Sequence, residues 1–176
     1  MPVEENAHII NTANMADELL SGRDMLLLCL YSATGARRSE ILGIRTRDIS
    51  RIEGTIRLWD GKRGGSFDRP LPSDVASLLK RYVDEVLPGS GCRLDEAIFS
   101  GRLWDKPMTG RSMDLRFEYW RRLSGLSSAY TLHSLRAGLA TRLYESTKDP
   151  VLVEKVLGHR LKHNGFPYVQ IASSDV

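Results

Sequence analysis

Over residues 23–34 the apolar positions Met25, Leu26, Leu27, Leu28, Leu30 and Tyr31 leave almost no polar face, which predicts a helix buried nearly all round. Ahead of it, residues 1–13 show weak periodicity, and a short helix is expected over 14–20, stopping at Ser21-Gly22. Gly35 interrupts the buried pattern, and 37–44 resumes it with Ile41, Leu42 and Ile44 as core positions. The texture then changes. Residues 55–59 and 66–71 are short β-type runs on either side of Asp60-Gly61-Lys62-Arg63-Gly64-Gly65, which predicts a hairpin. Pro72-Ser73-Asp74 marks a helix start, carried on by Val75, Leu78, Leu79, Tyr82, Val83 and Val86 and ended by Pro88-Gly89-Ser90-Gly91. Ala97-Ile98-Phe99 reads as a short strand or a buried loop. Helices are expected over 109–123, 135–144 and 151–157, the last ending at Gly158; from His159 the periodicity is lost. With no internal repeat or linker, the pattern describes one α+β, mainly helical domain over 23–176 with a small antiparallel β element, preceded by an acidic leader over 1–22.

Composition narrows the class. A chain of 176 residues that is 41% hydrophobic and 27% charged is long enough to bury a core and is neither fibrous nor disordered. The net charge of +3 hides an asymmetry: all 25 Lys and Arg lie from Arg23 onward, whereas four of the 22 acidic residues precede it, so 23–176 carry +7. A basic body suits a polyanionic partner, although solubility alone explains such a charge in many domains. The acidic start lacks an apolar stretch of signal-peptide length, and the run from Met25 to Tyr31 is far too short to span a bilayer. Cys29, in that run, and Cys92, in a Gly-rich stretch, form neither a disulfide framework nor a metal motif, so a reducing, cytoplasmic setting is expected.

Three polar groupings carry the candidate chemistry. Glu40 follows Arg37 by three residues, which on a helix sets a carboxylate beside a guanidinium; a solvated ion pair gives the same spacing. His133 and Arg136, also three apart at a helix start, project from one face, while Leu135 and Leu139 turn to the core. Leu157-Gly158-His159 ends a helix, with Tyr168 nine residues after His159.

Together and in this order, these groupings resemble the catalytic domain of the tyrosine recombinases, the phage-integrase and Xer-type family. Thr34-Gly35-Ala36-Arg37-Arg38-Ser39-Glu40-Ile41 is similar to the family's T-G-x-R-x-x-E-L box, His133-Ser134-Leu135-Arg136 to its H-x-x-R box, and Leu157-Gly158-His159 with Tyr168 to its L-G-H box and nucleophile. Lys62 sits where the family keeps its catalytic lysine, with Arg63 the adjacent alternative. The resemblance runs from about Arg23 to Tyr168. It implies catalytic roles for Arg37, Lys62, His133, Arg136, His159 and Tyr168, with Glu40 in support. It further implies a specific site on double-stranded DNA as substrate, a homo-oligomer such as a tetramer on that DNA, and no metal, ATP or other cofactor.

The residue types suit that chemistry. A tyrosine of pKa about 10 is only about one part in a thousand ionised at neutral pH, so Tyr168 needs help to attack a phosphodiester. Arg37 and Arg136 can neutralise the non-bridging oxygens, His133 can take the tyrosine proton, His159 can hydrogen-bond the phosphate, and Lys62 can protonate the departing 5′ oxygen. Arg38 would lie about a hundred degrees round a helix from Arg37, which suits a DNA-facing or solvent residue. Arg45, Arg47, Arg63, Arg111 and Arg116 are further candidates for DNA contacts.

The sequence also departs from the family pattern. Ala137-Gly138 stands where a further His often follows the second arginine, Pro167 disfavours helical geometry just before Tyr168, and eight residues follow Tyr168. No room for a separate DNA-clamping domain lies ahead of Arg23, so a catalytic fragment or a naturally short recombinase is expected. The competing readings are a type IB topoisomerase-like strand cleavage and a catalytically silent DNA-binding relative. His159 and His163 have the spacing of a helical metal pair but no carboxylate or cysteine nearby, which argues against a zinc site.

Overall fold

Helix α1 (Val3–Met15) occupies the stretch where only weak periodicity was expected. Its buried stripe is Asn6, Ile9 and Ala13, and the polar Asn6 disguises it in the sequence. The Asn6 side chain is satisfied inside: its Oδ1 accepts from the Ser32 hydroxyl at 2.8 Å. Ser21 and Gly22, expected to stop a helix, instead begin α2 (Ser21–Thr34). The computed structural model describes residues 1–15, 21–61, 64–87, 96–100 and 106–157.

The apolar run places α2 at the centre. Leu26, Leu27, Leu28 and Leu30 are at most 2% exposed, and α1, α4 (Ser73–Arg81) and α6 (Leu132–Thr147) all pack on it. Burying side chains of this size contributes about 1.5–3 kcal/mol each. The start of α2 also buries charge. The Asp24 carboxylate takes Arg23 at 2.6 Å, the Arg116 Nε at 2.5 Å and the Trp120 indole N–H at 2.9 Å, the last two from α5 (Gly110–Leu123). Arg23 also donates to the Ser100 carbonyl at 2.7 Å, so this cluster joins α2, α5 and the segment around residue 100.

After α2 come α3 (Arg38–Leu42), a 3-10 turn (Thr46–Asp48) and a sheet of order β1-β2-β3, where β1 is Ile49–Ser50, β2 Thr55–Asp60 and β3 Gly65–Pro70. The expected hairpin is β2 and β3; β1 is a third strand that two residues could not announce. Burial alternates along β2, so Ile56, Leu58 and Asp60 face inward. Their antiparallel partners Arg69, Phe67 and Gly65 share that inner face. The run Ala97-Ile98-Phe99 is a buried connection, with Ile98 donating its N–H to the Ile44 carbonyl at 2.9 Å.

Helix α6 starts three residues earlier than periodicity suggested. Thr131 caps it, its backbone N–H donating to the Ser134 hydroxyl at 3.0 Å, and this brings His133 into the first helical turn. Helix α7 (Pro150–Leu157) closes the described chain. A small apolar cluster of Ala140, Val153 and Leu157 fixes α7 on α6, separate from the main core.

Candidate active site

Gly35 lies between α2 and α3 with φ +58, a conformation that favours glycine. A Cβ there would stand 2.8 Å from Leu139 Cδ2 and 2.8 Å from Leu157 Cδ2, so the bend also lets α6 and α7 approach. Two residues later Arg37 takes extended geometry as the N-cap of α3. The sequence suggested Arg37 within the helix; it stands just before it, and the spacing to Glu40 gains a second use. Glu40 Oε1 accepts from the Arg37 guanidinium at 2.7 Å and Oε2 from the Arg37 backbone N–H at 2.6 Å. Glu40 is 4% exposed while the Arg37 side chain is 32% exposed, so a buried anion holds a cation that still reaches solvent. Asp60, at the inner end of β2, adds a second carboxylate at 3.6 Å from the Arg37 guanidinium.

Arg136 is committed more deeply. Only 4% exposed, it donates to the Gly35 carbonyl and, at 2.6 Å, to the Leu157 carbonyl. It thereby links the α2–α3 bend, α6 and the end of α7. His133, one turn earlier on α6, is exposed.

Arg37, Arg136 and His133 line one open groove of about 470 Å³, with Tyr31, Arg38 and Asp114 also in its wall. Burial pushes the Tyr31 phenol above its ordinary pKa, against the pull of Arg136 and Arg38. Arg38 pairs with Asp114 across α3 and α5, and both side chains are about half exposed. Three fixed cations and a histidine thus face a site open enough for a large anion.

The remaining candidates divide. Arg45 is exposed just before the 3-10 turn and Arg47 is exposed within it, and Arg111 is exposed in the first turn of α5. Arg116 is drawn into the Asp24 cluster and lies against the rings of Tyr119 and Trp120, at 4.7 and 5.4 Å from their centres. Lys62, Arg63, His159 and Tyr168 lie outside the described residues, as does Cys92. Among the described residues no group of three or more His, Cys, Asp and Glu could hold a metal ion, and no helix is long and apolar enough to cross a membrane.

Asp60, Asp114 and Tyr31 escaped the sequence reading. For Asp60 a signal existed: it occupies the inward position two residues after Leu58, where a strand of this alternation ordinarily continues apolar.

The model of the phage integrase family matches residues 1–173, so the match extends through the acidic leader. The chain is 34% identical over 161 residues to tyrosine recombinase XerC of Proteus mirabilis, an alignment covering 90% of this chain and 50% of that protein. It is 25% identical over 176 residues to tyrosine recombinase XerD of Staphylococcus saprophyticus, covering 100% of this chain and 59% of that protein. The chain spans about half the length of the curated relatives it matches. Its fold is similar to that of the XerH site-specific recombinase bound to a palindromic difH substrate, with TM-score 0.83 at 23% identity over 98% of this chain and 50% of that one. It is also similar to the lambda integrase catalytic core, with TM-score 0.65 at 24% identity over 91% of this chain and 94% of that one.

Proposed function

This chain belongs to the phage integrase family, and on that premise we propose that it is the catalytic domain of a site-specific DNA recombinase. The observation that carries the proposal is the convergence of Arg37, Arg136 and His133 on one open groove, with Glu40 buried behind Arg37. In this reading the groove takes the scissile phosphodiester of double-stranded DNA. The Tyr168 oxygen attacks phosphorus, the bond to the 5′ oxygen breaks, and a 3′-phosphotyrosyl link forms. His133 accepts the tyrosine proton, and Lys62 supplies one to the departing 5′ oxygen. Arg37 and Arg136 stabilise the charge that builds on the non-bridging oxygens, with His159 as a further donor. Guanidinium groups supply this stabilisation without a metal, and the covalent link keeps the phosphodiester's free energy, so rejoining needs no ATP.

Structure and chemistry fit in one further respect. Arg136 is spent on two backbone carbonyls and is positioned before DNA arrives, while Arg37 is held by its carboxylates at the solvent edge. Catalytic groups fixed in advance lower the barrier because they need not reorganise during the reaction. A polyanion bound by several such subunits, a tetramer on DNA in the cytoplasm, completes the proposal.

The test is a nicked suicide duplex carrying a candidate recombination site. Wild-type protein should form a covalent adduct that survives a denaturing gel, and Tyr168→Phe should form none. Absence of an adduct with wild type across candidate sites, or an undiminished adduct with Tyr168→Phe, overturns the assignment.

A further inference from the structure

Arg69 is the one cation on the inner face of the described part of the β2–β3 hairpin, directly opposite Ile56. The neighbouring residues Asp68 and Pro70 are exposed, whereas the Arg69 side chain turns inward and is half-buried. Burial pushes its guanidinium below the ordinary range; Glu40 opposes this, and Arg136 adds to it. A charge placed there at such cost is held by specific partners. Its NH2 group donates to the Val156 carbonyl, its guanidinium lies 5.0 Å from the centre of the Phe67 ring, and its Nε is buried without a hydrogen-bond partner.

The Val156 contact gives the arrangement its meaning. The last carbonyls of a helix have no acceptor role within it and favour a nearby cation. At the end of α7 two successive carbonyls are each taken by an arginine: Val156 by Arg69 and Leu157 by Arg136. Arg136 belongs to the groove; Arg69 belongs to the sheet whose strands β2 and β3 flank Lys62 in the sequence. The next residues in the chain are Gly158 and His159.

We propose that Arg69 is a positioning residue for strand cleavage, fastening the β2–β3 sheet to the C-terminal end of α7 so that the Leu157 carbonyl is held on Arg136. This rests on the recombinase reading above. Its hydrogen bond runs to backbone and not to substrate, so Arg69 acts on rate through the placement of α7.

Two measurements on the full chain test it. In hydrogen exchange without DNA, Arg69→Ala should speed exchange of the Val156 and Leu157 amides about tenfold or more while those of β2 remain as in wild type. In single-turnover cleavage of the suicide duplex, Arg69→Ala should lower the maximal rate about tenfold to a hundredfold, with half-saturation by DNA within about twofold of wild type. Arg69→Lys, which keeps a long stem and a donor, should recover part of that rate. A substrate with a 5′-bridging sulfur has a leaving group that needs no proton, so it should rescue Lys62→Ala but leave the Arg69→Ala defect in place. Unchanged exchange at α7, a wild-type rate, or full rescue by the sulfur substrate overturns the proposal. Absence of cleavage by wild type defeats the recombinase reading instead, and the exchange result then still decides whether Arg69 fastens α7.

Discussion

Glu40 grips Arg37 at two points, accepting from its guanidinium at 2.7 Å and from its backbone N–H at 2.6 Å. One carboxylate therefore sets both the side-chain direction of Arg37 and the geometry of the residue that starts α3. Glu40→Gln keeps an acceptor for one of the two donors; Glu40→Ala keeps none and takes that acceptor from both half-buried Arg37 donors, at about 1 kcal/mol or more. Glu40→Ala should thus lower the melting temperature and cut cleavage about a hundredfold, with Glu40→Gln between it and wild type. Thermal unfolding and single-turnover cleavage check the order. Equal cleavage by all three would mean that Asp60 alone holds Arg37.

Arg136 makes a different demand. Its planar fork reaches the Gly35 and Leu157 carbonyls at once, which a single ammonium cannot do. Arg136→Lys should keep the charge yet lose most cleavage, several kcal/mol of barrier, and Arg136→Ala should add a stability loss of about 3 kcal/mol or more from uncapped carbonyls and a cavity. Arg37→Ala, at a more exposed position, should match the loss of cleavage with a smaller loss of stability. DNA affinity should fall little in each case. Wild-type cleavage by Arg136→Lys would show that charge alone suffices there.

These residues also show what the sequence makes legible. Helices α2, α4, α5 and α7 announce themselves because most of their buried positions are apolar and punctuated by Gly35, Pro72, Thr109 and Pro150. Helix α1 does not, because Asn6 fills a buried position and finds its partner, Ser32, on another helix. The first arginine box is legible since Arg37 and Glu40 interact over three residues. The roles of Asp60 and Arg69 are not, because they depend on hairpin register and on partners at the N-cap of α3 and in α7. Arg116 reads as a surface cation, and its carboxylate lies 92 residues away. No local pattern reports such a pairing.

That pairing yields a contrast. Arg116 donates to an Asp24 carboxylate that is 1% exposed, so Arg116→Ala should destabilise the fold and lower the melting temperature by several degrees. It should leave the salt dependence of DNA binding nearly unchanged. Arg47→Ala or Arg111→Ala, at exposed positions, should reduce that slope by about one each with little effect on melting. Binding titrations at several salt concentrations separate the two kinds of residue, and a reduced slope for Arg116→Ala would place it on DNA after all.

Gly35→Ala tests the bend itself. Its φ of +58 is costly for alanine by about 1–2 kcal/mol, and the added methyl meets Leu139 and Leu157 at 2.8 Å. Relief requires α6 and α7 to move apart, which carries the Leu157 carbonyl away from Arg136. The variant should lose about 2 kcal/mol or more of stability and lose cleavage as well, although residue 35 contributes no side chain to the groove. Denaturant unfolding and cleavage measured at a temperature where the variant remains folded check both halves; undiminished cleavage there would show that the bend is not part of the site.

Cys29 supplies a pH prediction. Burial, with a smaller push from Asp74, raises its thiol to about 11, above the value near 9 of an exposed cysteine. At pH 8 only about one thiol in a thousand is then ionised, so in a Cys92→Ser background alkylation of the native protein should be slower than that of the unfolded chain by about two orders of magnitude. The same shift has a sign in stability. The folded state holds the proton between pH 9 and about 11 while the unfolded chain releases it, so the contribution is complete below pH 9 and is lost as pH rises through 11. Relative to Cys29→Ala, which has no such proton, the parent's melting temperature should decline over that interval. A difference between the two that stays constant from pH 8 to 11 would show that Cys29 is solvated like an exposed thiol.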